Sequence, residues 1–454
     1  MNRHMNAITA LGDELKFKSL SGQERLSDLF HYRVDLVAAQ CDLDLEQLLG
    51  TMLEVHVEID QGTRYFQGLI TQVQYLKPAD INDREHIYRF EIHPWLWLAT
   101  QNTDNRIFQN LTVPDIIKKV LLKYPFSVDW QLREDYREWP YCVQYDESDF
   151  QFISRLMELE GIYYYFEHKE GEHQLVLVDS TMAHKPFSGT EFSINYYSDD
   201  QSQPSHGPIL RDWAFADSLY SNKHTMVDYD FEKASAKLDV SYSLSKNNGK
   251  TMEIYDPLPG YFELDDGEKY VRVAAESDAW RSQTCTAFSN YPLLSCGHIF
   301  EVARLRAAQN PYLIIATEFH LEENSYATDG GGDAEKHQIE VKLTVIPHQA
   351  QFRAPKVTPI PKAQGPMTAK VVGIQGEEIW TDKYGRIKVQ FHWDREGQQD
   401  ENSSCWLRVS SPWAGGGFGG VQIPRIKDEV IVGFVGGQLD RPMVVGRVYN
   451  AENM

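Results

Sequence analysis

Apolar and polar residues alternate one by one along most of this chain. A period of two fits only extended backbone, whose successive side chains point to opposite faces. Leu53-Glu-Val-His-Val-Glu-Ile59 is the clearest case, and residues 65–75, 87–93, 339–346 and 386–393 repeat it. Turn-forming residues break the pattern at short intervals, as they do in sandwiches and barrels. The chain is therefore expected to be mainly β. Two stretches depart from this. Residues 113–123 carry Pro114 at a helix start and Ile116, Ile117, Val120 and Leu121 on one face. Residues 146–161 space Phe150, Ile153, Leu156 and Met157 as a helix does and stop at Gly161. Strands resume at 162–167 and 174–178.

The β pattern echoes itself. Gly50-Thr-Met-Leu-Glu-Val55 resembles Gly297-His-Ile-Phe-Glu-Val302. Tyr65-Phe-Gln-Gly-Leu-Ile-Thr-Gln-Val73 resembles Tyr312-Leu-Ile-Ile-Ala-Thr-Glu-Phe-His320 at the same offset. Tyr88-Arg-Phe-Glu-Ile-His-Pro94 resembles Val341-Lys-Leu-Thr-Val-Ile-Pro347 after a small slip. Three matches in one order predict two copies of a β-barrel. Gly330-Gly-Gly332 reads as a loop tip. Pro355, Pro359, Pro361 and Pro366 make 353–366 a stiff linker. The expected organisation is a first barrel at 1–104, an inserted α+β region at 105–185, a second barrel with insertions at 186–352, the linker, and a small all-β domain at 367–454.

Charge narrows the partners. A formal net charge of −22 over 454 residues opposes both a nucleic-acid backbone and an anionic lipid surface as main partner. No apolar run reaches the roughly 18 residues a membrane helix needs, and residues 1–17 do not read as a secretion leader. Five cysteines, at 41, 142, 285, 296 and 405, are scattered as reduced thiols are. A bridge between Cys285 and Cys296 across a hairpin stays open.

Motifs that could carry chemistry are weak. Gly415-Gly-Gly-Phe-Gly-Gly420 fits G-x-G-x-x-G, but Val421-Gln-Ile-Pro424 follows instead of a helix, so a mobile loop is expected. Asn248-Gly-Lys-Thr251 resembles the tail of a P-loop, with Leu244 where its first glycine belongs. Cys296 and His298 are close in sequence, at the start of a strand. His168 and His173 flank a Lys-Glu-Gly-Glu turn and are expected to be solvated. His392 and Asp394 could supply two metal ligands without a third. Neither H-E-x-x-H nor G-x-S-x-G occurs, and no carboxylate spacing points to glycoside hydrolysis. Catalytic, cofactor and metal sites are accordingly expected to be absent. Asp382-Lys-Tyr-Gly-Arg386 reads as a tight turn between strands, with Gly385 supplying an unusual φ.

Longer segments carry a family resemblance. Asp382-Lys-Tyr-Gly-Arg-Ile-Lys-Val-Gln-Phe-His-Trp-Asp394 resembles the signature of VgrG spike proteins. So do Asn402-Ser-Ser-Cys-Trp-Leu-Arg-Val409, Ile423-Pro-Arg-Ile-Lys-Asp-Glu-Val-Ile-Val432 and Asp440-Arg-Pro-Met-Val-Val-Gly-Arg-Val-Tyr-Asn450. The signature positions are Asp382, Gly385, Arg386, Phe391, Trp393, Asp394, Pro424, Arg425, Glu429, Pro442, Gly446, Tyr449 and Asn450. Upstream, His93-Pro-Trp-Leu-Trp-Leu98, Arg106-Ile-Phe-Gln-Asn110 and residues 141–166 are similar to the family's hub region. Two departures stand out: Lys427 occupies a position where glycine is common, and Gln438-Leu439 interrupt an expected acidic turn.

The resemblance implies two hub barrels per chain followed by an OB-fold. It implies a homotrimer whose six barrels fit a threefold spike to the hexameric tube protein (Hcp), alongside baseplate proteins, in a type VI secretion system. The family's β-helix needle, which seats a tip protein and carries effectors, would follow the OB-fold. This chain ends before it and reads as a shortened member. It would be made in the cytoplasm and exported by the machine without a signal peptide. The same residues also suit the spike of a phage tail or phage-like particle. A secreted glycan hydrolase or glycan-binding protein is the third reading.

Overall fold

The computed structural model describes residues 4–452 apart from 40, 42, 61, 77–85, 187–192, 199, 202–203, 205–206, 245–248, 307, 310 and 324–336. The glycine run at 330–332 and Asn248 therefore lie outside the described residues. The chain forms two compact units. One comprises residues 1–97, 124–134 and 157–356; the other comprises 98–123, 135–156 and 357–454.

The first unit is built on strands β1 (Met5–Ile8), β2 (Lys16–Arg25), β3 (His31–Ala38), β4 (Met52–Ile59), β5 (Gly62–Leu76), β6 (His86–His93), β7 (Ser193–Tyr196), β8 (Ile209–Asp217), β9 (Gln283–Ser289), β10 (Ile299–Ala303), β11 (Tyr312–Glu323) and β12 (His337–Pro347). They form one sheet in the order β1-β4-β5-β6-β3-β2-β11-β10-β7-β8-β9-β12. β12 also pairs with β11, which closes the last six strands into a barrel. The first six form an open half-barrel. The alternation predicted from sequence is the inward face: Leu53, Val55 and Val57 of β4 are fully buried, each contributing about 1.5–3 kcal/mol of transfer free energy.

The two halves are structural copies. Five strands of each run antiparallel in one order, β2-β3-β6-β5-β4 and β8-β9-β12-β11-β10. Gly50 and Gly297 both take left-handed backbone, φ 78° and 86°. Gly50 N–H donates to Ile70 O and Ile70 N–H to Thr51 O, each at 2.9 Å; Gly297 N–H donates to Ile314 O and Ile314 N–H to His298 O, also at 2.9 Å. One residue later both β5 and β11 carry a bulge. Walking across the ladders from these anchors, Ile70–Ile92–Tyr32–Gly22 in the first copy matches Ile314–Val345–Cys285–Phe215 in the second.

The first and third sequence matches agree with this walk. The second is out by three residues, because Ile70 corresponds to Ile314 and not to Thr317. β4 pairs with β5 along its whole length, from Met52 to Ile59, whereas β10 pairs with β11 only at Ile299 and Phe300; the second hairpin is three residues shorter between its anchors, so one offset cannot hold through both strands. The sixth strand differs too. β1 lies antiparallel to β4, while β7 lies parallel to both β10 and β8. Between β8 and β9 sits an insertion: strands Lys223–Asp228, Leu238–Ser243 and Glu253–Pro257 in one sheet, with helix Leu264–Ala279 packed on it.

The second unit contains a five-stranded barrel of β13 (Met367–Val372), β14 (Lys388–Phe391), β15 (Arg408–Val409), β16 (Glu429–Phe434) and β17 (Pro442–Val448). The order is β14-β13-β16-β17-β15. Ile387 and Leu407 exchange both backbone hydrogen bonds, at 3.0 and 2.7 Å, and so close it. Ala369, Val371, Val389, Phe391, Val430, Val432 and Val444 fill it. The same unit holds helix Val113–Leu121, capped by Thr112 Oγ1 accepting from Asp115 N–H at 3.3 Å, with Pro114 in its first turn. Helix Asp149–Glu160 stops at Gly161, φ 79°.

The matched glycines differ in surroundings. A Cβ at Gly297 would overlap the Tyr165 ring, whereas one at Gly50 meets nothing within 4 Å. Gly50→Ala is expected to cost about 1–2 kcal/mol from backbone strain alone, and Gly297→Ala at least about 1–3 kcal/mol more from overpacking. Urea denaturation of the two variants measures the difference; equal losses would contradict it.

Candidate assembly interface

The feature that dominates the first unit is the junction between the two copies. β2 pairs antiparallel with the C-terminal part of β11, from Ser19 opposite Glu322 to Arg25 opposite Ala316. Glu24 lies inside this seam, 5% exposed. Its Oε1 accepts from Tyr32 Oη at 2.6 Å and from the Arg64 guanidinium. Its Oε2 accepts from Cys296 N–H at 3.2 Å and Thr317 Oγ1 at 3.5 Å. One carboxylate thus ties β2, β3 and β5 of the first copy to β11 and the turn before β10 in the second. Arg64, 6% exposed, also lies over the Phe66 ring at 4.6 Å and the Phe319 ring at 5.7 Å. Sequence reasoning missed this pair. Its signal is an acid on the inward phase of a strand, since Glu24 follows Leu20 by four residues.

Two histidines extend the network. Gln67 N–H donates to His168 Nδ1 at 3.2 Å, leaving Nε2–H facing Tyr32 Oη at 3.2 Å. Trp95 N–H donates to His173 Nε2 at 2.9 Å, and Nδ1–H donates to Gln67 Oε1 at 2.5 Å. Both rings are neutral; His173 is buried and His168 half-buried. Burial pushes the His173 imidazole down to about 3, and burial together with nearby Arg64 and His173 holds His168 well below its ordinary range. The expectation of solvated rings is thereby corrected. The two residues face each other across the hairpin of strands Tyr163–Lys169 and Glu172–Val178, and the turn at 169–172 is exposed.

The other candidate positions are structural in their geometry. The Cys296 thiol donates to Ile315 O at 3.3 Å, while His298 Nδ1 meets Ser295 Oγ at 3.0 Å. Burial drives that thiol well above its ordinary range, so it holds no thiolate for attack. Cys285 and Cys296 are separate free thiols. The 415–420 segment is a hydrogen-bonded hairpin, Ala414 opposite Gly419 and Gly415 opposite Phe418, and not the expected loose loop. Gly417 at φ 80° turns it, and the rings of Trp413 and Phe418 meet at 5.9 Å.

In the five-stranded barrel, Asp382 closes its turn by accepting from Tyr384 N–H and Arg386 N–H, with Arg386 Nε on its other oxygen at 2.7 Å. Gly385 has φ 68°. Phe391 is buried and stacks on Trp393 at 5.2 Å. Asp394 caps the next turn through Glu396 N–H and Gly397 N–H and accepts from Gln390 Nε2, so it is committed to the fold. Pro424 is buried. Arg425 N–H donates to Asp428 Oδ2 and its guanidinium pairs with Glu378. Asn450 Nδ2 donates to Glu429 Oε2 at 3.1 Å, bringing those two together. Pro442 opens β17, and a Cβ at Gly446 would sit 3.3 Å from Ile431 Cδ1. Tyr449 is 84% exposed.

Also in this unit, Asp440 Oδ1 accepts from Val143 N–H at 2.7 Å, and Arg155 bridges Glu147 and Val143 O. Among the described residues, no helix is long and apolar enough to cross a membrane.

Two families match. The one described as phage tail baseplate hub (GPD) covers residues 23–325, and the type VI secretion system/phage-baseplate injector OB domain covers 368–449. The type VI secretion system spike protein VgrG1b of Pseudomonas aeruginosa is 41% identical, over 99% of this chain and 61% of its own length. VgrG1a of the same organism is 41% identical, over 97% of this chain and 68% of its own length. The chain therefore spans about three-fifths to two-thirds of these curated relatives. Among solved structures, the E. coli c3393 protein, described as a type VI secretion component similar to T4 bacteriophage tail proteins gp27 and gp5, superposes with a TM-score of 0.69 at 19% identity. It covers 98% of this chain and 100% of that one.

Two outcomes follow from this geometry. Arg64→Met leaves Glu24 charged and unpaired in the seam, and is expected to destabilise the protein by about 3–5 kcal/mol; Glu24→Gln with Arg64→Met should recover much of that in urea denaturation. Lys427 has φ 81°, left-handed backbone that favours glycine. Lys427→Gly should raise the stability of the second unit by about 1 kcal/mol, the left-handed penalty less the added chain entropy, read as a higher thermal midpoint.

Proposed function

Because the chain belongs to the VgrG family of type VI secretion spike proteins, with a baseplate-hub region and an injector OB domain, we propose that it is a non-enzymatic hub and spike base that assembles as a homotrimer. The observation that carries this is the doubled five-strand core. Two like barrels in one chain let three chains present six like surfaces, which fits a threefold spike to a sixfold tube.

In this reading residues 1–104 and 186–352 are the hub barrels, 105–185 the inserted region, 353–366 the linker and 367–454 the spike base. The signature residues from Asp382 to Asn450 hold the spike base in shape. The hexameric tube protein meets the hub, baseplate proteins surround it, and sheath contraction supplies the energy. Tip protein and effectors travel with the spike, and the protein leaves the producing cell through the machine itself.

The account is tested by mass in solution. Light scattering is expected to give three chains. Each carries −22, so the trimeric fraction should rise with ionic strength as exposed charges are screened beyond about 8 Å. A monomer unaffected by salt would contradict it.

A further inference from the structure

Each copy of the five-strand core has two places where a neighbouring copy can pair. One is the outer edge of β2 or of its counterpart β8. The other is the C-terminal part of β11 or of its counterpart β5. Inside the chain one of each is used: β2 of the first copy pairs with β11 of the second, with Gly22 opposite Phe319. That leaves β8 of the second copy and the end of β5 in the first.

Among the described residues both leftover edges are bare. β7 covers only Ile209 and Leu210 of β8, and beyond them β8 pairs with β9 alone. β4 covers Gly62–Leu69 of β5, and from Gln72 to Leu76 the strand pairs with β6 alone. Their side chains differ from those in the used seam. Phe319 and Thr317 of β11 are buried, 2% and 1% exposed, whereas their counterparts Tyr75 and Val73 are partly open and Gln72 and Gln74 are exposed. On β8, Ala214, Ala216 and Asp217 are exposed and Phe215 is 54% exposed. A bare strand edge carrying an exposed Phe is a template for pairing, which soluble chains otherwise protect with charge, proline or a covering segment.

We propose that β8 of one chain pairs antiparallel with the end of β5 in a second copy of this chain, reproducing between subunits the β2–β11 seam found within one. The matched rows fix the register. Gly22 corresponds to Phe215 and Phe319 to Tyr75, so Phe215 lies opposite Tyr75, Ala216 opposite Gln74 and Asp217 opposite Val73. The contact is head-to-tail, since each chain offers one edge of each kind. Its closure at three chains rests on the trimeric reading above; the pairing itself does not.

The test is disulfide trapping in the full chain. Directly opposed antiparallel residues have Cα atoms about 4.5–5.5 Å apart, within the roughly 4.4–6.8 Å a disulfide spans. The exposed Cys41 is replaced (Cys41→Ser), and Ala216→Cys is combined with Gln74→Cys. Mild oxidation is expected to give a covalent trimer on a non-reducing gel, reversed by reductant. The pair Ala216→Cys with Gln72→Cys, two residues out of register at about 7–8 Å, should cross-link several-fold less. Dimers and longer open ladders from the in-register pair would support the seam while overturning closure at three. A trimer by light scattering that does not cross-link would overturn the seam and leave the trimer standing. A chain that stays monomeric and uncross-linked at its highest soluble concentration would overturn both.

Discussion

The ladder between β2 and β11 holds the hub together, and a single buried carboxylate makes it specific. A half-barrel and a barrel joined by a flexible tether could take any relative orientation. Joined by a shared run of backbone hydrogen bonds from Ser19 to Arg25, they form one continuous sheet and one rigid spacing. Glu24 then removes the freedom to slip. Its four donors come from three strands and a turn, and a shift of one residue would turn it to the opposite face and strand Arg64 without a partner.

From this constraint the rest of the first unit follows. Strand order is the same in the two copies, and in the proposed ring each five-strand core would present the same edge and the same accepting strand. What varies is what those edges do not need. The sixth strand changes direction, and the β2–β3 hairpin of the first copy becomes, in the second, an insertion of three strands and a helix between β8 and β9. The two neutral histidines belong to the same logic. Neutral His168 and His173 satisfy the N–H groups of Gln67 and Trp95, groups that would otherwise be buried without partners where the 163–178 hairpin packs on the barrel.

Much of this was legible in the sequence. Strict alternation at 53–59 and 339–346 identified the class and the inward faces, and the 50–55 and 297–302 match located the copies because a left-handed glycine at a strand start is a physical requirement and not a loose pattern. Register was less legible. In a period-two sequence, shifted alignments score alike, and the two tyrosines at 65 and 312 favour one that hairpins of unequal length make impossible. His168 and His173 were misread for a related reason: a charged turn between them says nothing about which way the flanking side chains point. The spike-base signature was readable as a fold, since Asp382, Gly385 and Asp394 are turn chemistry. The Glu24 seam was hidden, because its partners lie far apart in sequence.

The account stands on the claim that one chain supplies two like members of a closed ring. End-on electron-microscopy class averages of the assembled protein measure this directly. Six similar densities at equal spacing around one ring, in a particle of threefold symmetry, are the expected result. Three lobes, or six positions of plainly unequal size and spacing, would contradict it.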